Sequence, residues 1–342
     1  MPQKFKLYAC FPQRHAVSVS RATIALLSCV CTCTCTGTWN SGGVGVDSAH
    51  ASGVGIWHGH PVSEGQFPFV AALLHNGTQF CAGSLIHSSA ILTAAHCVDD
   101  QNGISPFHKR QRPTTFFPLR ASSSNTRGNI RNNSDGAVGF EMCDVEIVVN
   151  VTNLATLESD NGSSIIRRVR SVHIQPSYNI TASSDFDVAV ILLNESVPAH
   201  VSPITMISNG TKDLEMASTK VAVVGWGQTE KSTNISVANY ANLTIVNMTQ
   251  CQALFPPPEW CCPWPKLSPN MVCTYDFSGR NASDCDGDSG GPMFAVDGNN
   301  NNEYVLVGTV SWGTLCGGPP DIYQRVLRWR TWIDGVITQH LT

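Results

Sequence analysis

Three short segments carry side chains suited to breaking an acyl bond. Leu92-Thr93-Ala94-Ala95-His96-Cys97 holds an imidazole, Asp185-Phe186-Asp187-Val188-Ala189-Val190 holds two carboxylates, and Gly287-Asp288-Ser289-Gly290-Gly291-Pro292 holds a hydroxyl among glycines. A serine hydroxyl is a weak nucleophile at neutral pH, so Ser289 needs a neutral base such as His96 within hydrogen-bond reach. The same imidazole can later protonate the leaving amine. An imidazole can also present the wrong nitrogen, and a carboxylate that accepts from the other ring N–H prevents this. Asp187 suits that part, because the apolar run Val188, Ala189, Val190 begins directly after it, whereas Asp185 is expected to be solvated.

These segments are far apart in the chain, so a sizeable fold must gather them. The chain has 342 residues, 42% hydrophobic and 13% charged, which is enough for a large core, too few for more than two ordinary domains, and incompatible with disorder throughout. A formal net charge of -4 offers no basic field for a phosphate backbone, so nucleic acid is excluded as a partner. From Ile56 onward, short runs rich in Val, Ile and Leu alternate with Gly, Pro and Asn turns: Phe69 to Leu74, Ser84 to Thr93, Val188 to Leu193, Val221 to Gly225 and Tyr304 to Val310. That pattern predicts an all-β fold of many short strands. One clear helical candidate, Tyr323 to Ile337, places Val326, Trp329, Ile333 and Val336 or Ile337 at three- and four-residue spacing.

Taken in the order His, Asp, Ser, with glycines around the serine, the three segments resemble the chymotrypsin-like (trypsin-family) serine proteases. The resemblance runs from Ile56 to the C-terminus. It implies two six-stranded antiparallel β-barrels with a C-terminal α-helix, and a triad of His96, Asp187 and Ser289. Asp187-Val188-Ala189-Val190 matches the family's Asp-Ile-Ala-Leu pattern. The resemblance also assigns the oxyanion donors to the N–H groups of Gly287 and Ser289. Ser311-Trp312-Gly313 looks like the segment that pairs with substrate backbone as an added strand. The implied disulfides are Cys81 with Cys97, Cys251 with Cys273, and Cys285 with Cys316. A further family bridge is absent on both sides, at Val221 and Ala295.

Two departures from the family pattern stand out. Six residues before the serine, where trypsin has its acid, this chain has Ser283. Asp284 follows, and Asp321 stands where a glycine is usual on the pocket wall, so the expected specificity is basic or broad. A bulkier wall at 321 equally fits a shorter pocket for small apolar side chains. The second departure concerns activation. Ile56-Trp57-His58-Gly59 aligns with the family's mature start, whose new ammonium pairs with the carboxylate before the serine, here Asp288. No Lys or Arg occurs from Ala22 to His108, so the cut between Gly55 and Ile56 is expected from a non-tryptic protease.

Residues 1–36 read as a secretory signal peptide: Lys4, Lys6, Arg14 and Arg21 precede the apolar run Ala22 to Cys31. A signal anchor is the alternative. Residues 37–55 read as a propeptide or linker, residues 56–342 as the catalytic domain, and residues 101–143 as an irregular surface insertion. A signal peptide makes disulfides the natural use of the cysteines. Of the 14, Cys143, Cys261 and Cys262 stay unassigned after the leader's five and the three implied bridges. Eleven Asn-x-Ser/Thr acceptors from Asn76 to Asn281 fit a glycoprotein, with Asn281 expected to be too buried to be modified. The leader holds four basic and no acidic residues, so its removal takes the formal charge from -4 to -8. The sequence therefore predicts a secreted, monomeric serine endopeptidase made as a zymogen. Its partners would be protein or peptide substrates, an activating protease and protein inhibitors. No cofactor or metal is expected, since His58 and His60 lack a third ligand nearby. A protease-like binding protein is the alternative.

Overall fold

The computed structural model describes residues 56–99, 145–157, 159, 162–178, 184–232, 236–255, 266–313, 316–318 and 320–341. The leader, residues 37–55, the insertion 101–143, and Cys143, Cys261 and Cys262 lie outside the described residues, as do the acceptors Asn132, Asn161, Asn179 and Asn234.

The first barrel is built from β2 (Val70–His75), β3 (Thr78–His87), β4 (Ala90–Thr93), β5 (Val145–Val149), β6 (Ile165–Ile174) and β7 (Ala189–Leu193). Its strand order β2-β3-β4-β7-β6-β5 closes by antiparallel pairing of β5 with β2. Closure leaves no unpaired edge among these strands. The strands differ as their sequences dictate. All five residues of β7, Ala-Val-Ile-Leu-Leu, are buried, whereas β6 exposes Ile166, Arg168 and Arg170 in alternation.

The second barrel uses β9 (Lys220–Gly225), β10 (Asn239–Val246), β11 (Met271–Tyr275), β12 (Pro292–Asp297), β13 (Glu303–Trp312) and β14 (Asp321–Arg325). The order β10-β11-β14-β13-β12-β9 closes through the β9–β10 pair. Two short strands flank it: β1 (His60–Pro61) on β10, and β8 (Thr205–Met206), parallel to β13. Val221 and Ala295 are both buried, each one residue from the paired Ala222 and Phe294.

Between the barrels lies an aromatic cluster. Phe67 and Phe69, which lead into β2, meet Phe294 of β12 at centroid distances of 5.1 and 5.4 Å, and Tyr304 of β13 joins them at 5.5 and 5.9 Å. Edge-on and tilted ring contacts of this kind add to the hydrophobic gain of burial.

Three details differ from the sequence expectation. The run Ser84 to Thr93 is a hairpin rather than one strand, turning between His87 and Ala90. The C-terminal helix α2 spans Val326–Leu341, because Tyr323 belongs to β14, where its backbone pairs with Val272 and Val310. Its buried face is Val326, Trp329, Ile333 and Val336, as the periodicity indicated. An unforeseen short helix α1, Met248–Leu254, starts at Asn247. Asn247 accepts from Gln250 N while the Gln250 side chain accepts from Asn247 N, a reciprocal capping box.

Disulfides join Cys81–Cys97, Cys251–Cys273 and Cys285–Cys316, the pairings the resemblance implied. Among the described residues no helix is long and apolar enough to cross a membrane.

Phe294 is 2% exposed and in ring contact with Phe67, Phe69 and Tyr304. Phe294→Ala is expected to destabilise the protein by about 3–5 kcal/mol in chemical denaturation, since the facing rings cannot fill the void.

Candidate active site

The register of the first barrel brings two of the candidate residues together. Thr93, the last residue of β4, pairs with Ala189, the first of β7. His96 lies three residues beyond the one, in a single 3-10 turn at Ala95–Cys97, and Asp187 lies two residues before the other. The backbone N–H of His96 donates to Asp187 Oδ1 at 2.9 Å, and Nδ1 of the ring lies 2.8 Å from Oδ2. Two contacts to one carboxylate fix both the ring's position and its tautomer. Burial disfavours charge on His96, but the Asp187 charge and hydrogen bond outweigh it and hold the ring's pKa above the ordinary 6.5.

Asp187 is 2% exposed and also accepts from Ser311 Oγ at 2.7 Å, a contact that reaches across from the second barrel. Asp185 is buried as well, which corrects the expectation that it is solvated. It accepts from Asn270 Nδ2 at 3.1 and 3.0 Å and from the backbone of Phe186. Asp185 therefore anchors the loop rather than facing the imidazole. Phe186 packs against Trp329 of α2 at 5.3 Å, so the C-terminal helix braces the segment that carries Asp187.

Ser289 sits on a turn clamped between the barrels. Its carbonyl accepts from Ala82 N of β3 at 2.8 Å, with the Cys97 sulfur 3.5 Å from the same oxygen. On the other side, Gly290 N bonds to Val310 O and Val310 N to Gly291 O, each at 2.9 Å. Among the described residues no hydrogen bond joins His96 to Ser289 Oγ; such contacts tighten when substrate is present. Gly287 has φ of 102°, a backbone state that favours glycine. The N–H groups of Gly287 and Ser289 have no protein acceptor among the described residues, whereas Asp288 N is bonded to Cys285 O. Two free N–H groups beside a serine hydroxyl are what a developing oxyanion would require.

One residue was missed by sequence reasoning. Gln79 Nε2 donates to Gly287 O at 2.8 Å and to Cys81 O at 2.9 Å, tying the serine turn to β3. Its spacing of two residues before Cys81 was the available signal, but a glutamine in a strand announces nothing without its partner.

A cavity of about 270 Å³ opens beside Ser289, lined among others by Asp284, Ser311, Trp312, Gly313, Cys316 and Asp321. Five of the six sequence-predicted substrate-binding residues thus surround it. Ser283 does not line it: it is 1% exposed, and its hydroxyl accepts from Gly317 N at 2.7 Å. Asp284 accepts from Tyr323 OH at 2.6 Å and is buried, as is Asp321. Trp57 pairs with Ser283 through both backbone bonds, and its indole lies against Gly317, where any side chain would collide with it. Asp288 is fully buried and accepts from Gly227 N at 2.7 Å and Cys285 N at 2.9 Å. Burial, with the Asp284 charge adding to it, pushes Asp288 up to about 8. Asn281 is exposed, which corrects the expectation that it is too buried for modification.

The sequence profile of the trypsin family, described as "Trypsin", matches residues 56–138 and 142–333. The chain belongs to the trypsin family. It is 29% identical to mannan-binding lectin serine protease 1 of Homo sapiens over 82% of this chain and 35% of that protein. It is 27% identical to trypsin alpha-4 of Lucilia cuprina over 78% of this chain and 81% of that protein. Glucanase inhibitor protein 3 of Phytophthora infestans is 26% identical, over 86% of this chain and 93% of that protein. The chain spans about a third of the length of mannan-binding lectin serine protease 1.

Cys81, His96 and Cys97 form the one group of three potential metal-ligand atoms among the described residues, and both sulfurs are consumed in the disulfide. In a trypsin-family chain the clamp on the serine turn leads to a direct expectation. Gln79→Ala removes one neutral hydrogen bond to Gly287, ~1 kcal/mol, and is expected to lower kcat roughly fivefold with KM nearly unchanged. Gln79→His, which restores an N–H donor, should recover most of the loss in the same steady-state assay.

Proposed function

We propose that the chain is a serine endopeptidase that hydrolyses peptide bonds through an acyl-enzyme on Ser289. The observation that carries this is the doubly bonded His96–Asp187 pair beside a cavity that Ser289 lines. His96 takes the Ser289 proton as Oγ attacks the carbonyl, and the oxyanion that forms accepts from the N–H groups of Gly287 and Ser289, each worth ~3 kcal/mol in the transition state. The imidazolium, stabilised by Asp187, then protonates the departing amine. Water deacylates the serine by the same steps in reverse. Ser311 to Gly313 pairs with the substrate backbone, and the cavity holds the side chain on the acyl side of the cleaved bond, basic or of broader type.

Activation is read from Ile56 and Asp288. Ile56 has φ of 61°, a costly state for a β-branched residue, and cleavage of the Gly55–Ile56 bond removes that constraint. Burial holds the Asp288 carboxyl up to about 8, so below that pH it keeps its proton until a cation reaches it. The new Ile56 ammonium is that cation, and the pair would order the oxyanion turn. In this reading residues 1–36 are removed as a signal peptide, residues 37–55 by a non-tryptic protease, and the product is a secreted, glycosylated monomer acting on protein or peptide substrates and open to protein inhibitors. The insertion 101–143 decorates its surface.

A second reading, a protease-like binding protein, is favoured by one observation. Glucanase inhibitor protein 3 is matched over 93% of its own length. Fluorophosphonate labelling of the secreted protein separates the two readings. Label on Ser289, absent in Ser289→Ala, together with an N-terminus at Ile56, is expected of the protease; a folded protein that takes no label would leave the binding reading. For the active enzyme, kcat/KM is expected to fall on the acid side as His96 protonates, with a midpoint above the ordinary 6.5. Asp187→Asn should lower kcat about 10⁴-fold, since an amide cannot hold the required tautomer.

A further inference from the structure

The cavity beside Ser289 is walled by acids without a basic partner. Among the described residues that line it there is no Lys, Arg or His. Asp284 and Asp321 reach it from opposite elements, the serine turn and β14, and are 7% and 4% exposed. Asp321 Oδ1 lies close to Gly313, 3.6 Å from where a side chain there would begin. Among the described residues, few charged and titratable groups face the pair. Asp286 is exposed at the mouth and Asp288 is buried behind the turn, while Tyr323 on β14 donates its hydroxyl to Asp284. β13 contributes the neutral Ser311 and Trp312, Cys316 is disulfide-bonded, and Trp57 on the N-terminal segment covers Gly317.

We propose that this pocket changes its preference with protonation: while Asp284 and Asp321 hold protons it accepts neutral side chains, and once they ionise it selects Lys or Arg. The inference rests on reading the cavity as the pocket for the side chain at the cleaved bond. Two carboxyls in one small cavity cannot both ionise freely, because each charge raises the cost of the other. Burial lifts Asp284 to about 6 against its hydrogen bond from Tyr323, and burial together with the Asp284 charge holds Asp321 well above the ordinary carboxylate range. The sign follows directly. While both carboxyls hold protons the pocket is neutral, and a guanidinium entering it would lose water without gaining a counter-charge. Once Asp284 ionises the pocket is anionic, and a neutral side chain would leave buried charge unpaired. Basic and broad specificity are then two protonation states of one site.

The test compares two peptides that differ only in carrying arginine or citrulline on the acyl side of the scissile bond. Citrulline keeps the shape of arginine and lacks its charge. The processed enzyme is assayed from pH 5 to pH 9, and the ratio of the two kcat/KM values is taken, so that the titration of His96 cancels. The ratio is expected to rise at least tenfold between pH 5 and pH 8. Asp284→Asn and Asp321→Asn should each flatten that rise. A ratio independent of pH in the unmodified enzyme overturns the inference.

Benzamidine binding, measured by titration calorimetry on the unmodified protein, reads the pocket without turnover or substitution. Its Kd should weaken at least tenfold from pH 8 to pH 5, and equal affinity at both, or no binding at either, also overturns the inference. Benzamidine binding that weakens with acid in a protein that cleaves neither peptide would instead overturn the protease reading and leave the pocket inference standing.

Discussion

The turn from Ser283 to Gly291 belongs by sequence to the second barrel, yet its geometry depends on being held by both. Ala82 and Gln79 of β3 grip the carbonyls of Ser289 and Gly287, and Val310 of β13 grips Gly290 and Gly291. His96 and Asp187 come from the first barrel alone, positioned by the pairing of β4 with β7. Ser289 from one barrel and His96 from the other can meet only if the barrels keep a fixed relation. Ser311 Oγ on Asp187, the Phe67–Phe69–Phe294–Tyr304 cluster and Trp329 under Phe186 all cross that boundary. Each is a short-range contact that loses most of its value with an ångström of displacement. The site is therefore rigid by construction, and the loops around it are where variation in specificity can be tolerated.

The features legible in the sequence are those with a local signature. Continuous apolar runs such as Ala189 to Leu193 announce buried strands, and Val326, Trp329, Ile333 and Val336 announce a helix face. His96, Asp187 and Ser289 were legible because each is embedded in an apolar or glycine-rich context that polar surface residues lack. What escaped notice was non-local. Asp185 looks solvated until Asn270, 85 residues away, is placed beside it. Gln79 gains meaning only from Gly287, 208 residues on. The split of Ser84 to Thr93 into a hairpin was hidden because Ser88-Ser89 is a weak turn signal compared with Gly or Asn. Helix α1 was overlooked for a related reason: seven residues carry too little periodicity, and Asn247 also reads as a glycan acceptor.

By resemblance Ser283 holds the position of the specificity acid in trypsin, but its hydroxyl is spent on Gly317 N and its backbone on Trp57. The residue serves as a brace. Trp57 belongs to the same brace, because its indole fills the space left by a glycine at 317. Two acids line the cavity from neighbouring walls, at 284 and 321. Both are accommodated because Tyr323 offers Asp284 a hydroxyl and the Asp284 amide offers Asp321 an N–H.

Burying three carboxyls within one turn and its neighbouring strand works against folding, since each is more readily ionised in the unfolded chain than in place. Above the ordinary carboxylate pKa the unfolded state gains from ionising them, and the native state must hold the turn closed against that gain. The covalent link Cys285–Cys316 and the Trp57–Ser283 backbone pair close the turn from two sides, and the clamp on Ser289 closes it from a third. A cation entering from either direction would relieve the same repulsion: an ammonium beside Asp288 from the N-terminal side, or a substrate guanidinium beside Asp284 and Asp321 from the cleft. Asp284 acts on both Asp288 and Asp321, so the two events are coupled through one charge. Occupation of the pocket by a cation offsets the Asp284 charge and so lowers the cost of ionising Asp288.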